Sequence, residues 1–189
     1  MNSSLIWFFV LPVAGFLLLG ARGNSRQALW VALALGAFET GYSLAVAGLD
    51  YLTLMSFLIL AISIFISMRS DDDFYFKIGG AAGNIAMSVA MLIAWHFFHK
   101  AMLLDAAEKY MGIDKLVAIN PEVDKAQLTE FLRVMSLQLP VWLILHGVLT
   151  IHAAARWSRW AWGVVYVPGM IAALIMAGIS AGITALQAP

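Results

Sequence analysis

The sequence predicts an all-α, polytopic membrane protein with about six transmembrane helices and an amphipathic interfacial helix between the fourth and fifth. Three observations carry that expectation. First, the 189-residue chain is 62% hydrophobic and only 12% charged, whereas a soluble domain carries about 25% charged residues to cover its water-facing surface. Second, apolar runs of near-spanning length recur along the chain, and roughly 20 such residues cross a bilayer as a helix. Third, no stretch alternates as barrel strands do, and lipid offers no partner for free backbone groups, so each span must be helical.

The first run, Leu5–Ala21, contains Pro12 and lacks a basic segment before it. Arg22 and Arg26 follow it instead, so it reads as a retained first membrane helix and not as a signal sequence. Further runs fall at Ala28–Gly48, Tyr51–Met68, Ile78–Phe98, Ser136–Ala155 and Trp160–Leu186. The first run is short, so five spans plus a re-entrant helix is the alternative count. The whole chain, residues 1–189, reads as one integral membrane domain.

Residues 99–135 form the one long polar connection, with six acids and five bases. Its first part, H-K-A-M-L-L-D-A-A-E-K-Y-M-G, places Met102, Leu103, Ala106, Ala107 and Tyr110 at helical spacing. This predicts a helix lying in the interface and stopped at Gly112. A second helix is predicted from Asn120 as N-cap, with Pro121 at its first position and Glu122 near the positive dipole end. It should run into the fifth span, where Pro140 is a candidate kink.

Between spans three and four stands M-R-S-D-D-D-F-Y-F-K-I-G-G. Asp71, Asp72 and Asp73 cannot sit in hydrocarbon and should hold the turn in water. Phe74, Tyr75 and Phe76 suit the headgroup layer, and Lys77 should snorkel. A cation site made of the three carboxylates is the sharper alternative, although it would need carbonyls or another loop to complete it. Six bases (Arg22, Arg26, Arg69, Lys77, Arg156, Arg159) collect near one set of helix ends, against five (Lys100, Lys109, Lys115, Lys125, Arg133) on the other. Their density in short loops predicts both termini outside.

The order of these features, with the acidic D-D-D-F-Y-F-K loop entering the fourth span and a fifth span reading P-V-W-L-I-L-H-G, resembles the intracellular septation protein A-like family of bacterial inner-membrane proteins. Phe76 stands where the family usually has lysine, and Ile78-Gly79 where it has Pro-Thr. The resemblance implies an inner-membrane protein of envelope maintenance or division-linked membrane organisation, with the N-terminus in the cytoplasm. It supplies no catalytic residues.

Inside the spans, Glu39 lies at the centre of the second and His146 at the centre of the fifth, with Asn84 nearby in depth. An intramembrane ionisable residue is costly and marks a functional site by default. Glu39 and His146 are therefore expected as a polar clasp, a proton-relay pair, or a contact of Glu39 with another subunit. His96 and His99, spaced i,i+3, would share a helix face, and with Asp105 or Glu108 they form a candidate metal set. His146 lies roughly 12 Å deeper than His96, which argues against a haem held between them. Gly79-x-x-x-Gly83, Gly178-x-x-x-Gly182 and the upstream Ala173 and Ala177 form small-residue faces for helix packing or a partner. Trp157, Trp160 and Trp162 read as an interfacial belt.

Zero net charge, from 11 bases and 11 acids, excludes an electrostatic footprint for nucleic acid. The absence of cysteine removes thiolate catalysis and thiolate metal sites. No nucleophile elbow, phosphate loop or zinc-protease motif occurs. The expectation is a non-enzymatic accessory or membrane-organising subunit without cofactor, whose partners are the bilayer and other membrane subunits or a second copy. A small proton-coupled transporter using Glu39 and His146 is one alternative; a metal- or pigment-associated subunit using His96 and His99 is another.

Overall fold

The computed structural model describes residues 4–20, 25–47, 51–119 and 123–187, and these are mostly helical with no strand among them. The helices are α1 (Ser4–Gly20), α2 (Ser25–Ala47), α3 (Tyr51–Ser70), α4 (Phe74–Phe98), α5 (Met102–Ala106), α6 (Ile113–Ile119), α7 (Lys125–Arg156) and α8 (Arg159–Leu186). Among the described residues, α4, α7 and α8 are long and apolar enough to cross a membrane, at 25, 32 and 28 residues. Val10–Gly20 in α1 and Ser56–Ser70 in α3 are shorter apolar stretches.

Each apolar run of the sequence falls on one long helix. Two breaks sit where local chemistry requires them. Asp71 ends α3 in the left-handed region (φ 56°), and the Asp72 N–H closes the turn on the Ser67 carbonyl at 3.1 Å. This is the Schellman arrangement, and aspartate is one of the few side chains that tolerates the left-handed residue. Ser158 starts α8: its Oγ accepts from the Ala161 N–H at 3.2 Å, three residues on.

The connection departs from the expected single interfacial helix. After α5 the backbone widens into a π-helical turn, Ala107–Met111, which stops at Gly112 with φ 71°. The stop at Gly112 is as expected; the widened turn and the separate helix α6 after it were not foreseen. The expected cap at Asn120–Glu122 lies outside the described residues. From Lys125 onward α7 runs unbroken past Pro140, as expected of the second helix.

The contacts divide the chain into two compact units, Met1–Gly83 with Val148–Pro168, and Asn84–Gly147 with Gly169–Pro189. In the first, α1 packs on α2 and α2 on α3. Its core is aromatic. Phe16 lies 4.6 Å from Phe76 and edge-on to Trp162 at 6.1 Å, and Trp162 stacks on Tyr166 at 5.4 Å. Trp162 is 1% exposed, so it is the centre of this core and not part of an interfacial belt. Only Trp157 and Trp160 of the three are exposed. Phe76 is likewise core and not headgroup anchor, because it follows the inward face of the first turn of α4.

In the second unit the Leu103 N–H donates to Ser136 Oγ at 3.1 Å and Trp142 Nε1–H donates to Ser180 Oγ at 3.2 Å. The first ties the α5 start to α7, the second ties α7 to α8. Ala173, Ala177 and Ala181, spaced i, i+4, i+8, are the buried stripe of α8.

Candidate functional site

The turn between α3 and α4 organises a polar cluster at one end of the first unit. Asp72 Oδ1 accepts from the Phe74 N–H at 2.9 Å, and buried Ser67 Oγ accepts from the Phe76 N–H at 2.7 Å. Both donors belong to the first turn of α4, where N–H groups have no partner within the helix. Asp73 does something different: Lys77 Nζ pairs with its Oδ1 at 2.7 Å, and Arg159 Nη2 pairs with its Oδ2 at 2.9 Å. Arg159 also donates to Ser25 Oγ at 2.9 Å and lies 4.8 Å over the Phe16 ring. Trp162 Nε1–H donates to the Lys77 carbonyl at 3.2 Å. One carboxylate thus joins the starts of α2, α4 and α8.

The three aspartates have separate tasks, so a shared cation site is not their arrangement. One ends a helix, one starts a helix, one pairs with two cations. Lys77 does not snorkel into water; its side chain is 12% exposed and held by Asp73. Arg159 stood out in the sequence only as one base among several near helix ends. Its partner lies 86 residues away, and no local signal connects them.

Beside this cluster lies a recess of about 290 Å³, lined from α2, α3, the three aspartates and Arg159.

The intramembrane candidates fall in different units: Glu39 in the first, Asn84 and His146 in the second. Glu39 is 6% exposed, and neither carboxylate oxygen has a hydrogen-bond partner among the described residues. His146 is buried, at 5% exposure. Asn84 Nδ2 and Ser88 Oγ, one turn apart on α4, are also buried without a hydrogen-bond partner among the described residues.

The expected metal set is not assembled. Helix α4 ends at Phe98 and His99 turns left-handed (φ 52°), so His96 and His99 do not continue one helix face. Among the described residues no three His, Asp or Glu side chains, including Asp105 and Glu108, gather as metal ligands.

The small-residue faces separate into two kinds. A side chain at Gly79 would collide with Ser63 of α3, and one at Gly83 would come within 3.2 Å of Ile59. That face is packed within the chain. At Gly178 and Gly182 no described atom lies within 4 Å of where a side chain would begin. Ala173 and Ala177 belong to the packed side of α8; the two glycines do not. Ile171, Ile175, Ile179 and Ile183 are exposed on the same helix.

Comparison with protein-family models, with curated proteins and with solved structures gives no match.

Proposed function

We propose that the chain is a six-span protein of the bacterial inner membrane that acts as a non-enzymatic accessory or membrane-organising subunit, through contacts of its helix faces with other membrane proteins. The observation that carries this is the open strip on α8. Gly178 and Gly182 lie one turn apart with no described atom within 4 Å of where a side chain would begin, while the alanine stripe is buried inside the chain. Glycines so spaced let a second helix approach closely, and lipid gives such a surface no other use. The resemblance of the acidic loop to the septation protein A-like family agrees with a role in membrane organisation.

The two sides of α8 supply the test. Gly178→Leu with Gly182→Leu should abolish cross-linking to neighbouring membrane proteins and leave the thermal midpoint of the purified chain unchanged. Ala177→Leu should instead lower that midpoint. Unchanged cross-links in the glycine variant would refute the role assigned to this face.

Glu39 favours a second function, proton-coupled transport. A buried carboxyl group with no hydrogen-bond partner among the described residues is costly to keep, as charged groups within a bilayer are. Glu39→Gln should then abolish substrate-driven proton uptake in proteoliposomes while the protein still folds; a membrane-organising subunit would show no such uptake to lose.

A further inference from the structure

The recess beside the α3–α4 turn has no part in either function above. It measures about 290 Å³, just below the range of about 300–1,000 Å³ for sites that take a small organic molecule. The groups of its floor are already engaged, since Arg159 and Lys77 share Asp73 and Ser25 accepts from Arg159. The rim is not. Arg26 makes no ion pair among the described residues, and its guanidinium reaches the Met68 carbonyl at a long 3.4 Å. Asp71 makes no ion pair among them either, and Asp72 uses Oδ1 to cap α4 while Oδ2 stays available. All three side chains are exposed and line the same recess.

A ligand that satisfies one guanidinium and two carboxylates carries an anionic and a cationic group close together. Leu29 and Met68 add an apolar side to the recess. Position selects among zwitterions of this kind. The exposed Tyr75, Trp157 and Trp160 lie at the same helix ends of this unit, and such aromatics settle at headgroup level. We infer that this recess binds the headgroup of a phospholipid bearing a primary ammonium, with its phosphate on Arg26 and its ammonium on Asp71 and Asp72. A quaternary ammonium has no N–H to give to the carboxylates, and a glycerol headgroup brings no positive charge to them. The inference rests on the membrane placement proposed above and is independent of the accessory role.

The variants that test it keep the fold. Asparagine caps a helix as well as aspartate does and tolerates the left-handed backbone at position 71. Arg26→Gln gives up one long hydrogen bond. The purified, delipidated full-length chain is offered equal amounts of phosphatidylethanolamine, phosphatidylcholine and phosphatidylglycerol with matched acyl chains, and the retained lipid is counted after washing. One phosphatidylethanolamine per chain is expected, with about tenfold preference over the other two. Asp71→Asn with Asp72→Asn should erase the preference, and Arg26→Gln should lower retention about tenfold. Equal retention of the three lipids, or a preference that survives the double aspartate variant, overturns the assignment. So does displacement of the lipid by equimolar soluble phosphoethanolamine, which would make the free zwitterion the occupant. Membrane placement is checked separately: release of the chain from membranes by alkaline carbonate would refute it whatever the lipid counts.

Discussion

At the scale of single residues, the acidic turn works by division of labour. Asp73 lies between two cations and is only 15% exposed on its side chain. Replacing it with alanine leaves Arg159 and Lys77 facing each other without a counter-charge. The expected loss is about 2 kcal/mol, read as a lowered unfolding midpoint in detergent. Asp72→Asn should cost almost nothing by the same measurement, because the cap survives. Ser67→Ala strands the buried Phe76 N–H, and should cost about 1–3 kcal/mol. A chain in which all three changes cost the same would contradict this assignment of roles. The sequence pointed to a turn at the aspartates, because charge is costly in hydrocarbon, and a turn stands there. It did not show which aspartate pairs, because Arg159 reaches Asp73 from a helix that begins 86 residues later.

At the scale of helices, the boundaries were the most legible feature. Six apolar runs fell on six helices, since an unbroken apolar run has no polar side chains to satisfy its backbone and must do so internally, and three of these helices are long and apolar enough to cross a membrane. Facing was far less legible. In water, the polar side of a helix reveals the buried side, but lipid is as apolar as the core, so both sides of such a helix read alike. Trp162 and Phe76 therefore looked like belt residues although they are core, and Ala173, Ala177, Gly178 and Gly182 read as one stripe although only the alanines are buried. The metal set failed for a related reason: spacing at His96 and His99 implies a shared face only while the helix continues, and α4 stops between them. Two glycine changes follow from the observed facing. Gly79→Val should destabilise by about 1–3 kcal/mol, because the new methyl groups meet Ser63 across the α3–α4 contact. Gly178→Val should leave stability within about 0.5 kcal/mol. Chemical unfolding of the two variants side by side distinguishes them.

At the scale of the whole molecule, the account has three supports. Length and apolarity make α4, α7 and α8 fit to cross a membrane. The paired side chains at the α3–α4 turn fasten the start of α8 to α2 and α4. At Gly178 and Gly182 of α8 no described atom lies within 4 Å of where a side chain would begin, and we propose this strip as the seat of a neighbour. The central claim, that this neighbour is another membrane protein, is tested most directly by native mass spectrometry of the chain extracted gently from its own membrane. The account predicts an assembly heavier than the 20.6 kDa chain, containing a second membrane protein and lost when Gly178 and Gly182 become leucine. A bare monomer, or an assembly that survives the glycine changes, would contradict it.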